Sequence, residues 1–359
     1  MCRSVFLTTG AVTREFEEKY SAYLGVRHTV GLTSCTAGLQ LAMLAFGIGP
    51  GDEVITTPMT FAATSNTVMH TGAKPVFVDV DPATALFDLD EVERAITPRT
   101  RAIIAVHLYG LMADMQRLRA IADRHGLKLI EDCAHAIEPN RDGTRPGQLS
   151  DAACFSFYAT KTITCGEGGA VVTNDDATAD RLRRLRQHGM SSNAADRYSG
   201  AYQHWDIDLL GWKYNMSNLQ AAMLIGQIDR IETLWQRREA ISRRYEAGFR
   251  GVDDLSFPIV VPGAKSARHL FTIWVDPQRR DQILAELQRR GVGVAVNYRA
   301  VHLLKYYRET LGFRRGDFPI AERIGDSTIS IPLYPKLQDA EVEYVIENVR
   351  AVVGAVHRV

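Results

Sequence analysis

Lysine is scarce in this 359-residue chain: of its 42 lysines and arginines only eight are lysines, so a lysine in an apolar setting stands out. Net charge is missing too. Lys+Arg and Asp+Glu both number 42, which excludes the basic footprint of a nucleic-acid binder. The five cysteines, Cys2, Cys35, Cys133, Cys154 and Cys165, are odd in number and scattered. None stands in a C-x-x-C spacing, which disfavours a disulfide framework, a zinc site and a redox pair. No apolar run reaches the roughly eighteen residues of a membrane span, and Met1 to Gly10 lacks the basic flank and apolar stretch of a secretory leader. Repeats and low-complexity tracts are absent as well. The expectation is a soluble, cytoplasmic chain with no membrane or nucleic-acid partner.

What is present is alternation. From residue 12 to about 190, helical and strand patterns take turns: Val12 to Leu24 is helical, His28 to Leu32 a strand, Ala37 to Phe46 a helix and Glu53 to Thr57 a strand. Lys74 to Val80, Arg101 to His107 and Lys128 to Asp132 continue as short β-branched runs with helical stretches between them. That rhythm predicts an α/β class with a mostly parallel, doubly wound sheet. Asp151 to Phe157 and Gly169 to Asn174 follow with no helix between, so a differently wound part of the sheet is expected there. Ser217 to Phe249 reads as one long helix that links two domains. Beyond it, HLFTIWVD, RRDQILAELQRRG, STISIPLY and a final helix from Asp339 suggest a small α+β domain.

In an open α/β sheet, ligands bind outside the carboxyl ends of the strands. Three ends are chemically loaded. Thr33 to Gly38 runs from a strand straight into a helix, offering hydroxyls and free N–H groups suited to a phosphate; Ser and Thr there are also ordinary caps. Asp132 ends KLIED, where a carboxylate can hold a pyridinium proton or merely close a turn. Lys161 follows the apolar run Phe155 to Tyr158 and precedes the glycine-rich Cys165 to Gly169. Apolar surroundings disfavour its ammonium and leave an amine able to form an imine, whereas on an open loop it is a solvated cation. Each feature alone is weak; together they are what pyridoxal phosphate requires. A Rossmann dehydrogenase is disfavoured, since Gly47 to Gly51 lacks the G-x-G-x-x-G spacing and precedes a strand.

In order along the chain stand GIGPGDEVIT (47–56), TFAAT (60–64), GAKPVFVDVD (72–81), AITPRTRAIIAVHLYG (95–110), LIEDCAHA (129–136), FSFYATKTITCGEGGAVVT (155–173) and GWKYNMSNLQAA (211–222). With this series the chain resembles the DegT/DnrJ/StrS family of nucleotide-sugar aminotransferases. The resemblance implies the fold type I, aspartate-aminotransferase-like architecture: a large domain over 11–235 with a mostly parallel mixed sheet, and a smaller α+β domain over 236–359. It implies pyridoxal 5'-phosphate as cofactor, with Lys161 as the Schiff-base lysine, Asp132 as partner of the ring nitrogen and His135 near the ring. Thr36, Ala37 and Ser156 would hold the phosphate, Phe61 would stack on the ring, and Asn215 matches an asparagine that reaches the phosphate from a neighbouring subunit. A homodimer with shared sites follows from the same resemblance, as do L-glutamate and a nucleotide-linked keto sugar as substrates.

Family members that dehydrate carry a histidine where this chain has Lys161, so lysine argues for transamination. Around Asn297 to Arg308 the chain looks like enzymes that make 4-amino-4-deoxy-arabinose on UDP for lipopolysaccharide modification, which favours amination at the 4-position. Arg299, His302 and Lys213 are the candidate substrate contacts, each with a surface or packing role as its alternative. Amination of a 3-keto sugar and a non-catalytic, cofactor-bound regulator are the rival functions. The segment Glu138 to Gly143 departs from the aromatic-rich loop usual in the family.

Overall fold

The computed structural model describes residues 7–191 and 204–354. The leader reading of Met1 to Gly10 therefore falls partly outside the described residues, and Cys2 wholly so. Nine strands are described: β1 (His28–Leu32), β2 (Glu53–Thr56), β3 (Lys74–Phe77), β4 (Thr100–Val106), β5 (Lys128–Cys133), β6 (Ala152–Ser156), β7 (Gly169–Thr173), β8 (Phe271–Trp274) and β9 (Thr328–Ile331). The first six α-helices are α1 (Ala11–Leu24), α2 (Cys35–Ala45), α3 (Ala63–His70), α4 (Leu89–Arg94), α5 (Met115–His125) and α6 (Asp176–Leu185). Six more follow: α7 (Asn218–Ile228), α8 (Ile231–Phe249), α9 (Arg280–Arg289), α10 (Lys305–Leu311), α11 (Pro319–Ser327) and α12 (Asp339–Gly354).

The first seven strands form one sheet in the order β1-β7-β6-β5-β4-β2-β3. Pairings among β2 to β6 are parallel, while β7 is antiparallel to both β1 and β6. The α/β class and the mixed, mostly parallel sheet agree with expectation, and the two strands without an intervening helix are the ones that carry the antiparallel pairings. Alternation sorts side chains to two faces. Cys154 and Val171 join Leu39, Leu41 and Met43 of α2 and Leu182 of α6 on one face. Ala153, Phe155, Ala170 and Val172 meet Phe16, Tyr20 and Leu24 of α1 and Leu224 of α7 on the other.

The single long helix expected over Ser217 to Phe249 is two helices, broken at Asp229 and Arg230. No glycine or proline marks the break. Ile228 and Ile231 on either side of it pack into the core that α1 helps build, whereas Ile241, Tyr245 and Phe249 belong to a separate core with β8, β9 and α12. The chain bends where it leaves one core for the other. β8 and β9 pair antiparallel as a second, two-stranded sheet within that separate core.

Candidate active site

Because β1 and β6 both run antiparallel to β7, their carboxyl ends lie on the same edge as that of β5. Gly169 at the start of β7 pairs with Leu32 of β1 and Ser156 of β6, so the loops that leave those two strands flank one point. A Cβ on Gly169 would stand 2.2 Å from the carbonyl carbon of Ser34 and 2.5 Å from the Cys35 nitrogen. Only glycine lets the strand approach the first turn of α2 so closely. The helix starts at Cys35, two residues before the expected Ala37, and Ser34 caps it, its Oγ accepting from the Ala37 N–H at 3.0 Å. Thr36 is exposed at this terminus, where first-turn N–H groups lack intrahelical acceptors. Ser156 is buried, its Oγ accepting from the Tyr158 N–H at 3.4 Å.

Asp132 is buried and held from three sides. Thr64 Oγ1 donates to its Oδ2 at 2.8 Å, the Ala134 N–H to its Oδ1 at 3.0 Å, and the Cys35 thiol to Oδ1 at 3.8 Å. Burial and the neighbouring carboxylate push the Cys35 thiol well above its ordinary value, so it stays a donor. Next to β5, a fully buried His107–Glu131 contact of 2.6 Å is closed by N–H groups from Ala113 and Gly147 and by the Ser150 hydroxyl, which stiffens the strand that carries Asp132.

Lys161 is half-buried in the turn after β6. Burial pulls its ammonium below the ordinary lysine value, and the Asp132 carboxylate pulls the other way. The glycine-rich loop after it is held by α7: Gln227 donates to Thr164 O at 2.7 Å and accepts from Thr164 N at 3.0 Å, while Gln220 donates to Glu167 O at 2.7 Å.

His135 is buried, with Nδ1 accepting from the Tyr109 N–H at 3.3 Å and Nε2 3.1 Å from the Tyr298 hydroxyl. Its ring lies 4.4 Å from that of His269. Burial first, then nearby Lys161, holds both imidazoles well below the usual histidine range, so both are neutral. Phe61 is 61% exposed, a large figure for phenylalanine, and its ring is 5.7 Å from that of Tyr298. One recess thus gathers Lys161, Asp132, His135, Phe61, Ser156 and the start of α2.

Other candidates lie elsewhere. His302 is corrected: it is fully buried, its Nε2 2.9 Å from Glu322 and its ring packed edge-on to Phe318, so it offers no face to a substrate. Lys213 is exposed and bonds Asn215, whose amide also donates to Thr9 Oγ1 at 2.7 Å. Arg299 is exposed and lines a cavity of about 360 Å³ together with Leu303, Leu304, Lys305, Arg308 and Arg315.

Sequence reasoning named Ser34 and Cys35 only within Thr33 to Gly38 and gave no individual role to Thr64, Tyr109, His269 or Tyr298. It also gave no role to Glu138, which forms a buried 2.5 Å ion pair with Arg238 of α8 and accepts from Thr162, the residue after Lys161, at 3.4 Å. Thr64 and Tyr298 had a signal, since both lie inside segments that already stood out.

An Asp held for a ring N–H, a lysine whose ammonium is disfavoured, and a helix terminus opened by a glycine fit pyridoxal phosphate. Comparisons with known proteins agree. Residues 1–350 match the model of the DegT/DnrJ/EryC1/StrS aminotransferase family. The chain is 42% identical over 357 residues to the spore coat polysaccharide biosynthesis protein SpsC of Bacillus subtilis, covering 98% of this chain and 92% of that protein. Among solved structures, S. venezuelae DesV in complex with a ketimine intermediate superposes with a TM-score of 0.89 at 37% identity, over 96% of this chain and 89% of that one. The putative sugar aminotransferase Spr1654 from Streptococcus pneumoniae, in its PMP form, does so with a TM-score of 0.93 at 32% identity, over 99% and 94%.

Proposed function

We infer the finer activity from one premise: this chain belongs to the DegT/DnrJ/EryC1/StrS aminotransferase family. It is a pyridoxal-phosphate-dependent sugar aminotransferase. The reading proposed beyond that is transfer of an amino group from L-glutamate to the 4-keto carbon of a nucleotide-linked sugar, toward a surface glycan such as lipopolysaccharide.

Pyridoxal phosphate, when bound, supplies a carbonyl that exchanges amino groups and a ring that withdraws electrons. The chain does the rest. Asp132, kept acceptor-rich by donors on its flanks, holds a proton on the ring nitrogen. The start of α2, with Thr36 and Ala37, and Ser156 would carry the phosphate, Phe61 would stack on the ring, and His135, both of its nitrogens engaged by Tyr109 and Tyr298, would lie near the ring. Lys161 would anchor the cofactor through Nζ and, once free as an amine, would hold or release a proton at that atom.

The observation that carries the nucleotide-linked part is the cavity at Arg299, Lys305, Arg308 and Arg315, which begins one residue beyond Tyr298. Four cations around a hollow suit the phosphates of a nucleotide. For a homodimer the support is an uncharged helix, α7, that leaves Leu219 and Met223 exposed just after Asn215, the residue assigned to the neighbour's phosphate. Four free cysteines favour the reducing cytoplasm.

The visible absorption of the protein with pyridoxal phosphate, before and after L-glutamate, is the first test, followed by turnover with purified 4-keto and 3-keto nucleotide-linked sugars. A glutamate-dependent spectral change with turnover of the 4-keto sugar alone is the expected result. Turnover of the 3-keto sugar alone would overturn the ring position, and no spectral change would overturn glutamate as donor.

A further inference from the structure

Tyr109 lies in the short turn after β4, almost wholly buried, with φ 59°, in the left-handed region that side chains avoid. Gly110 beside it, at φ 96°, is wedged: a Cβ there would stand 2.9 Å from Ala267 Cβ and 3.2 Å from His135 O. The turn is therefore pressed between the loop after β5 and the segment that leads into β8. Its unusual backbone sends the Tyr109 N–H to His135 Nδ1 at 3.3 Å, while the Tyr109 phenol donates to Asn297 O at 2.6 Å. Asn297 precedes Tyr298, whose hydroxyl meets His135 Nε2 at 3.1 Å. The circuit is closed, and Tyr109 touches it at both ends.

We propose that Tyr109 is a positioning residue that holds His135 and Tyr298 in register. Its N–H occupies the Nδ1 lone pair, so the single proton of the neutral imidazole sits on Nε2. His135 Nε2–H then donates to the Tyr298 oxygen, and the Tyr298 O–H is left to donate into the recess. The phenol of Tyr109 fixes the carbonyl from which Tyr298 hangs, and so joins the cofactor side of the site to the wall that continues into Arg299. Burial first, with Asp132 adding to it, pushes Tyr298 up to about 12, which keeps it a donor at any working pH. The groups that face His135 are Lys161 from the turn after β6, His269 from the segment before β8, and Tyr298; Asp132 and Cys35 face Lys161 in turn. Nothing in the family motifs assigned Tyr109 a role, and the proposal rests on pyridoxal phosphate binding at Lys161.

The test uses the holoprotein: the visible absorption band of bound pyridoxal phosphate is titrated with pH in the wild type, Tyr109→Phe, Tyr298→Phe and the double variant, with thermal unfolding measured alongside. Tyr298→Phe should move the midpoint by about half a pH unit, the scale of one lost neutral hydrogen bond. Tyr109→Phe should move it in the same direction, and the double variant no further than Tyr298→Phe, because Tyr109 acts through Tyr298. A Tyr109→Phe protein that melts lower but titrates like the wild type would overturn the proposal, as would two shifts that add in full. Should Tyr109→Phe fail to fold, an unmoved midpoint in Tyr298→Phe would overturn it by itself. A wild-type protein with no band at all would instead sink the cofactor reading.

Discussion

An amine serves this site only if it can lose a proton, and the surroundings of Lys161 decide how readily it does. Burial disfavours its ammonium, and the Asp132 carboxylate restores part of the loss. Lys161→Ala is expected to cut turnover by about a hundred- to ten-thousand-fold, the range for a positioned proton carrier, and to abolish the cofactor's visible band. Stability should move the other way. Between the lowered folded value and the ordinary lysine value of about 10.4, the unfolded chain binds more protons than the native one, so the apoprotein gains stability as pH rises through that window. The alanine variant has no such group. Scanning fluorimetry of the two apoproteins should find the variant equal or more stable at neutral pH, with the difference closing as the solution becomes alkaline. A variant clearly less stable at neutral pH would mean that Lys161 is a structural residue.

At the scale of elements, α7 holds the Lys161 loop by imitating a strand: the Gln227 amide pairs with both the N–H and the C=O of Thr164. Gln227→Ala would leave two backbone groups to water and free the loop. Two neutral bonds at about 1 kcal/mol each imply pyridoxal phosphate bound up to about thirtyfold more weakly, measurable by fluorescence titration, with the melting temperature little changed. Unaltered affinity would mean that the loop is rigid without α7. No sequence pattern announces such a bond. β1 was legible to the residue, because strand alternation and the flanking turn chemistry are local, and so was the placing of Asp132 and Lys161 at or just beyond strand ends, where ligands bind in an α/β sheet. The break at Asp229 and Arg230 was not legible, since two separate cores set it and the helix sequence does not. His302 was misread for the same reason: its partner Glu322 is twenty residues away, and only the fold brings the two together under Phe318. Ser34 was legible only as one of several hydroxyls in Thr33 to Gly38, because which of them caps α2 depends on where the helix starts.

For the whole molecule, the same helix points to how two copies associate. α7 grips the Lys161 loop through Gln220 and Gln227, and the adjoining stripe of the helix carries Leu219 at 43% and Met223 at 55% exposure, without a charged residue anywhere in Asn218–Ile228. Leu210, at 85% exposure, lies close by in sequence. Apolar side chains repeated at a four-residue step on an uncharged helix suit burial against a second copy better than contact with water. Association through this face also couples to the site, because Met223 stands one helical turn from Gln220 and Gln227, so a partner packed on it steadies the side chains that hold the Lys161 loop. Met223→Glu would place a carboxylate in that contact and is expected to give a monomer by light scattering, with weakened pyridoxal phosphate binding because residue 223 stands one helical turn from Gln220 and Gln227, which hold the Lys161 loop. A Met223→Glu dimer with full cofactor affinity would exclude this face as the interface. A monomer with full affinity would leave the interface in place but sever it from the site, and the role of Asn215 across the dimer would fall with it.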